Sequence, residues 1–562
     1  MNTNGKLWIM GWNRLSLIFI ALFLLPIAIQ AQVANNRFLV YFTDKANTPF
    51  SLSQPEAYLS QRAIERRINQ NIAIDSLDLP VDPAYIQAVQ NLGDVEILFP
   101  IKWMNAILIE TTDPAVILGL NALSGFDRLE VSRVLINTDE LIFKQPMLPK
   151  SDADYGPSLN QIEMLNGLTL HSDGFRGEGK WIGVLDGGFT HAPNAWVLDS
   201  LFLNNRIIGT KNFVDGDDGV YERSSHGTYV LSTMAGWQID SLIGTAPKAS
   251  YFLGITEDVT QERRIEEVFW EIGAEYADSL GVDIINTSLG YTTFDVIDDN
   301  YTYADIDGNT ALITRASDIA ASRGMLIVTS AGNEGNNQWY YVGAPADGDS
   351  VLTIGSVDAF GDASTFSSRG PTFDGRVKPN VMAQGGLTVI SDLDTGIKVG
   401  NGTSFASPVL AGMAACLWQA FPDATAWQVF RAIEQSASLF EMPNDSMGYG
   451  IPDFEIARVL LGQVLDVNSP EVAKRNNAFM LYPNPYSEGL LHAELNPELS
   501  FPISLAVLSS VGKVTSKSDK IADKLALEQK LTQNMIGLAS GVYVILLQDA
   551  KRQAFASRLI KR

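Results

Sequence analysis

Cysteine is almost absent. The 562 residues include one, Cys416, so an intramolecular disulfide and a cysteine-built zinc cluster are both excluded. Histidine is nearly as rare. The four present, His171, His191, His226 and His492, include no pair at metal-ligand spacing on one helix, which argues against a histidine-rich metal centre. Positive charge is short. Forty Lys and Arg stand against 64 Asp and Glu, a formal net charge of −24 with a pI near 4.6. Such a surface repels phosphate backbones and argues against a nucleic-acid partner. Beyond the first thirty residues no apolar run is long enough to span a bilayer. Hydrophobic residues, by contrast, make up 46% and charged residues 19%. That composition can bury a core and is unlike that of a disordered chain. At roughly 100–200 residues per domain, the length suggests about three or four domains.

Lys6 and Arg14 precede an apolar run from Leu15 to Ile29. As a helix the run rises about 22 Å, short of the ~30 Å hydrocarbon core. It ends at Ile29-Gln30-Ala31-Gln32. This predicts a secretory signal peptide over 1–31, cut near Ala31; an N-terminal membrane anchor is the other reading. An exported chain without disulfides must rest on packing, bound ions or both.

Residues 32–150 read as a small α+β unit. The pattern predicts a strand over Arg37–Phe42 and a helix over Gln54–Asn69 with Ala57, Leu59, Ala63, Ile64 and Ile68 inward. It predicts β structure over Val95–Ile109 and a helix over Pro114–Leu123, with Pro at a helix-permissive start. Pro146, Pro149 and Pro157 in the polar stretch Thr138–Pro157 mark a boundary. Residues 151–465 alternate apolar strands and helices. The strands are Trp181–Leu185, Ala249–Ile255, Val282–Ile285 and Met325–Val328. The helices include Arg264–Leu280, with Ile265, Val268, Phe269, Ile272, Tyr276 and Leu280 on one face, and Ala311–Arg323. This predicts an α/β fold, a parallel sheet with helices on both faces. Ligands of such sheets bind outside the strand carboxyl ends. A linker over 466–477 leads to 478–562, where Phe501–Leu508, Gly541–Leu547 and Ala554–Ile560 predict a small β-sandwich.

Four polar residues stand where such a sheet opens. Asp186 follows the strand Trp181–Leu185 and precedes Gly187-Gly188, where it could orient a base. His226 opens the apolar run Tyr229–Ala235. Ser404 opens the long apolar helix that ends at Ala420. Free N–H groups and the positive dipole end there favour a developing anion. Asn333 follows the strand Met325–Val328, where its amide could donate to an oxyanion. Alone, each has a plainer reading: a turn Asp, a surface His, an N-cap Ser, a left-handed loop Asn. Together, in the order Asp, His, Asn, Ser, they fit one of the known orders of the serine triad.

The set resembles the subtilisin family of serine peptidases. The matching runs are the Asp186-Gly-Gly turn, His226-Gly-Thr, Ser288-Leu-Gly290, Ala331-Gly-Asn333 and Gly402-Thr-Ser-Phe-Ala-Ser-Pro408. Phe366-Ser-Ser-Arg-Gly-Pro371, Asp374-Gly-Arg376, Lys378-Pro379 and Gly448-Tyr-Gly450 extend the likeness over about Tyr155 to Leu460. The resemblance implies Ser404 as nucleophile, His226 as general base and then acid, and Asp186 as orienter of the imidazole. It implies Asn333 and the Ser404 N–H as oxyanion donors. Ser288-Leu289-Gly290 resembles the strand that pairs with the substrate backbone, and Ser330-Ala331-Gly332 the opposite wall of the first specificity pocket. Tyr251 to Ile255 would form a deeper pocket rim. The sequence departs from the family pattern at Gly187, Tyr229, Asn380 and Gln384.

The same resemblance makes 32–150 an inhibitory propeptide, through Phe42-Thr-Asp-Lys45 and Arg62-Ala-Ile-Glu-Arg-Arg67, with a cut in Leu141–Asp154. Leu481-Tyr-Pro-Asn-Pro485, Gly537-Leu-Ala-Ser-Gly-Val-Tyr543 and the basic end Arg558–Arg562 resemble the sorting domain of the type IX secretion system of some Gram-negative bacteria. The expectation is a secreted or cell-surface serine endopeptidase, exported through the periplasm and acting on protein or peptide substrates. Its partners would be its own propeptide and the outer-membrane type IX machinery. The chemistry requires no cofactor. Asp215-Gly-Asp217-Asp218 and Asp298–Asn309 offer oxygen ligands for a structural Ca²⁺, which is common in that family, or are solvated loops. An inactive binding module, and a peptide ligase or esterase, are the other readings of the domain.

Overall fold

The computed structural model describes residues 36–132, 154–468 and 479–561, the last stretch with breaks at 485, 488, 496–498, 510–513, 540 and 551–553. The expected signal peptide, all but the last residue of the expected cut region 141–154 and most of the expected linker lie outside the described residues.

Seven parallel strands form the centre. They are β5 (Trp181–Asp186), β6 (Ile207–Asn212), β7 (Ser250–Ile255), β8 (Ile284–Thr287), β9 (Leu326–Ser330), β10 (Val351–Val357) and β11 (Val381–Gln384), in the order β11-β10-β9-β8-β5-β7-β6. Every residue of β8 and of β10 is buried. Successive side chains of a strand point to opposite faces, so both faces of the sheet are covered. Helices α4 (His226–Ala235) and α7 (Thr403–Ala420) pack together on the sheet, and α5 (Arg264–Leu280) and α6 (Leu312–Ser322) form a second packed pair.

The N-terminal unit is a four-stranded antiparallel sheet of β1 (Arg37–Phe42), β2 (Glu96–Ile101), β3 (Ala106–Glu110) and β4 (Phe126–Ser132), in the order β2-β3-β1-β4. Its helices are α1 (Gln61–Asn69), α2 (Pro83–Gln90) and α3 (Pro114–Leu120). The alternation along β1 explains how it sits. Phe38, Val40 and Phe42 join Val89, Val116 and Leu120 in a core of their own. Leu39 and Tyr41, one residue out of phase, join Trp103 and Leu108 in the core of the larger domain. The sheet buries both faces, one under its own helices and one against its neighbour.

The helix expected over Gln54–Asn69 is a 3₁₀ turn at Pro55–Ala57 followed by α1, which Ser60 caps by accepting from Ala63 N. Its inward residues match expectation in part. Leu59 and Ala63 are buried as expected, but Ala57 and Ile68 are exposed, Ile64 is half-buried, and Arg66 and Arg67 are buried instead. The buried face is ionic because it docks on the acidic end of α5. Asp278 there receives Arg66, Arg67 at 2.9 Å and Lys102 Nζ at 3.0 Å. Ser60 N and Oγ donate to the terminal carbonyls Ser279 O and Leu280 O at 3.0 and 2.8 Å. Cations and donors at a helix C-terminus satisfy its orphan carbonyls and oppose its dipole. On α5 itself Ile265, Val268, Phe269 and Ile272 are buried as expected, but Tyr276 is 40% exposed. Glu271 and Glu275 are buried instead, under the N-terminal unit. Lys102 N and Trp103 N donate to Glu275 at 2.9 and 2.7 Å.

In the C-terminal unit, β12 (Phe479–Tyr482) pairs with β13 (His492–Leu495). The strands β14 (Ile503–Ser509), β15 (Val514–Ile521), β16 (Gly541–Gln548) and β17 (Ala554–Lys561) form a sheet in the order β15-β14-β16-β17. Helix α8 (Lys524–Met535) packs on β13, β14 and β15 through Leu527, Leu531 and Met535. The expected sandwich of strands alone therefore contains a helix. Its signal is the four-residue spacing of those apolar residues.

Asp278→Ala leaves Arg66, Arg67 and Lys102 without their shared carboxylate. It is expected to weaken docking of the N-terminal unit by about 3–5 kcal/mol, read as a lower denaturant midpoint of the uncut chain. Glu271 behaves oppositely. It is 1% exposed, neither carboxyl oxygen has a hydrogen-bond partner, and burial followed by the Glu275 charge raises its pKa. Folding therefore binds a proton, and the stability this gives at low pH is lost as pH rises toward the raised value. Glu271→Met is expected to unfold at a higher temperature than wild type at pH 8, with little difference at pH 4.

Candidate active site

The site begins with strand register. Leu185 of β5 pairs with Thr287 of β8, and Thr287 pairs with Thr329 of β9. The next residues, Asp186, Ser288 and Ser330, emerge side by side at the carboxyl edge. Asp186 is 2% exposed, and its Oδ1 accepts from Gly187 N at 2.8 Å. A Cβ on Gly187 would lie 2.6 Å from Val259 Cγ1. The space that a larger residue would need is filled by Val259.

His226 is the first residue of α4. Its backbone N–H donates to Ser224 Oγ at 3.1 Å, and Nδ1 donates to Asp186 Oδ1 and Oδ2 at 2.9 and 3.0 Å. Helix and loop meet closely here, since a Cβ on Gly227 would lie 2.5 Å from Gly188 O. Burial lowers the His226 pKa, but the Asp186 charge and hydrogen bond outweigh it, so the net shift is upward. Phe405 flanks the imidazole, with ring centroids 6.2 Å apart, and packs with Tyr229 beneath it.

Ser404 is the second residue of α7. Its Oγ donates to Ser288 O at 3.2 Å. Asn333 follows β9 and the left-handed Gly332, whose φ is 99°. Asn333 Oδ1 accepts from Thr403 N at 2.9 Å and Thr403 Oγ1 at 3.0 Å. The oxygen is held, and the amide N–H₂ is left to donate into the cleft. A pocket of about 150 Å³ is lined by Ser288, Leu289, Gly290, Ser330, Ala331, Gly332, Asn333 and Ser404. A neighbouring pocket of about 360 Å³ is lined by Asp186 and His226 and shares Ser288 and Leu289. Asp186, His226, Ser404, Asn333 and the two expected pocket walls, 288–290 and 330–332, thus lie on one cleft.

The expected deeper rim is elsewhere. Tyr251–Ile255 is the interior strand β7, and Tyr251 Oη donates to Ala246 O at 2.8 Å. The rim is the loop after it. Glu257, Asp258, Glu262 and Glu266 line the larger pocket with Asp295. Burial and then the Glu262 charge raise Glu257. Burial and then the Asp295 charge raise Glu262 to about 7, and burial with the Glu257 charge raises Glu266. Glu257 and Glu262 lie in the mostly polar stretch 256–263 and Glu266 in the first turn of α5, so nothing in the apolar pattern marked them as a cleft wall.

The remaining candidates make contacts within the protein. His171 Nε2 donates to Thr245 O at 2.9 Å and its Nδ1 accepts from Tyr155 Oη at 3.0 Å, and burial lowers its pKa to about 4. Cys416 is buried, with its thiol on Thr245 O and its pKa pushed up by burial. Asp215 is engaged by Arg223 and Asn212, and Asp307 caps its own turn at Asn309 N and Thr310 N. Among the described residues no three His, Cys, Asp or Glu side chains gather as a metal site. Asn380 donates to Glu434 Oε1 at 3.0 Å and accepts from Lys378 Nζ at 3.0 Å. Gln384 accepts from Asn160 at 2.8 Å.

Residues 177–450 match the sequence model of the Subtilase family, and residues 37–145 match that of the Peptidase S8 propeptide domain, Bacteroidota. Subtilisin E of Bacillus subtilis (strain 168) is 33% identical over 282 residues, 49% of this chain and 65% of that protein. A subtilisin of Bacillus pumilus is 32% identical over 49% of this chain and 90% of its own length. Among solved structures, MycP1 with its N-terminal propeptide removed aligns at TM-score 0.42 and 22% identity, over 53% of this chain and 96% of that one. The chain thus spans somewhat under two thirds of subtilisin E and nearly all of the B. pumilus protein. On the sequence likenesses the chain belongs to the subtilase family, with a propeptide domain ahead of the family's own domain.

Proposed function

We propose that the protein is a serine endopeptidase that hydrolyses peptide bonds through Ser404, His226 and Asp186. One observation carries the reading. The Asp186–His226 hydrogen-bonded pair and the pocket holding Ser404 and Asn333 share Ser288 and Leu289 as a common wall. Serine is a weak nucleophile and needs an adjacent base. In the proposed sequence His226 Nε2 takes the Ser404 proton as Oγ attacks the carbonyl carbon. Asp186 holds Nδ1–H and so leaves Nε2 free as the base. The oxyanion is met by Asn333 Nδ2 and the Ser404 N–H at the start of α7. His226 returns the proton to the leaving amine, and water repeats the cycle on the acyl-enzyme.

By the same reading the precursor cuts itself after the N-terminal unit, which inhibits until it leaves. The chain is exported to the periplasm by residues 1–31, then to the outside or the cell surface by 478–562 through the type IX machinery. The Leu481-Tyr-Pro-Asn-Pro485 and Gly537–Tyr543 runs support the last step. Calcium has no part in the chemistry. The alternative, a binding module without turnover, rests on one observation: Ser404 Oγ donates to Ser288 O and not to His226.

Treating the matured protein with a fluorophosphonate and reading intact mass is expected to give one label. Ser404→Ala is expected to take none and to remain uncut. An unlabelled, folded, mature wild type would contradict the proposal. The base must be neutral to act, and Asp186 raises its pKa. The labelling rate is therefore expected to rise with pH through a value above the ordinary histidine value of about 6.5. Asp186→Asn is expected to slow labelling about 10⁴-fold.

A further inference from the structure

Helix α7 carries a proline at its sixth position, Pro408. In an α-helix the carbonyl of residue i accepts from the N–H of residue i+4. Four residues after Ser404 stands Pro408, which has no N–H and whose ring crowds the carbonyl four residues back. The orphaned carbonyl therefore belongs to the nucleophile itself. A buried carbonyl needs a partner.

The partner comes from β8 and the residue after it. Ser288 Oγ donates to Ser404 O at 2.9 Å. Its lone pairs accept from Asn286 Nδ2 at 3.1 Å, and Asn286 Oδ1 accepts from Ser407 Oγ at 2.8 Å. Each hydroxyl donates once, and the chain of donors runs in one direction from helix to strand and back to helix. Asn286 and Ser407 are fully buried and Ser288 is 5% exposed. Ser404 Oγ meanwhile donates to Ser288 O, so the two serines hold each other through both backbone and side chain.

We propose that Asn286, Ser288 and Ser407 are positioning residues that replace the helical hydrogen bond lost at Pro408 and so fix the Ser404 backbone, and with it the nucleophile and its oxyanion-binding N–H, against the cleft. Ser288 then has two duties. Its backbone borders the substrate pocket, and its side chain sets the serine. The inference rests on Ser404 acting as the nucleophile.

The test is steady-state hydrolysis of a peptide substrate, with the fluorophosphonate labelling rate beside it and melting temperatures as the folding control. Ser288→Ala is expected to lower kcat and the labelling rate about tenfold, the size of one neutral hydrogen bond, with KM within about twofold. Ser288→Thr, which keeps the hydroxyl, is expected to keep most of kcat. Pro408→Ala restores an N–H at the fourth residue, and in the Ser288→Ala background it is expected to recover most of the lost kcat. Should Ser288→Ala fail to fold, Ser407→Ala is read in the same way at the far end of the chain of donors. A normal wild type with an unaffected kcat in Ser288→Ala, or a folded double variant without recovery, overturns this inference alone. A wild type that neither turns over nor takes label overturns the peptidase reading and this inference with it.

Discussion

The parallel register of β5, β8 and β9 is the constraint on which the rest depends. Adjacent parallel strands lie about 4.8 Å apart, and in-register pairing brings their carboxyl ends to one level. That places Asp186, Ser288 and Ser330 in a row. His226, Asp186 and both cleft walls then need only short loops. His226 enters from α4 across the Asp186 end, and Ser404 enters from α7 across the Ser288 end. A slip of one residue in any of the three strands would turn these side chains to the opposite face.

Helix α7 shows how a local fault in one element is repaired by another. Pro408 would leave a carbonyl unpaired in any isolated copy of α7. Only against β8, with Ser288 and Asn286 in place, is that carbonyl satisfied. The helix start is thus correct only in the assembled domain. Asn333 behaves likewise, since its amide orientation is set by Thr403 from the same helix start.

The sequence and the structure agree best where a residue's role is set by its own neighbours in the chain. Asp186, His226, Asn333 and Ser404 each sit at a strand end or helix start marked by local apolar pattern and turn residues. Agreement fails where a buried face is polar. Arg66 and Arg67 on α1, and Glu271, Glu275 and Asp278 on α5, are buried by partners distant in sequence; Arg66 lies 212 residues from Asp278. Amphipathic counting assigns such residues to solvent. The acidic wall at Glu257 and Glu262 was hidden for the same reason, and Tyr251–Ile255 was misplaced because an all-apolar strand does not reveal which of its ends borders the cleft. The ionic seam also distinguishes the N-terminal unit from a core domain. One face is apolar and continuous with its neighbour, and the other contacts are charges and helix-end donors, groups that water can also satisfy.

The most direct test of this account is a crystal structure of the matured protein with a peptide boronic acid. The account predicts boron bonded to Ser404 Oγ, one boronate oxygen on Asn333 Nδ2, the other toward His226, and the peptide backbone paired with Ser288–Gly290. An inhibitor bound without a bond to Ser404, or with its oxygen turned away from Asn333, would contradict it.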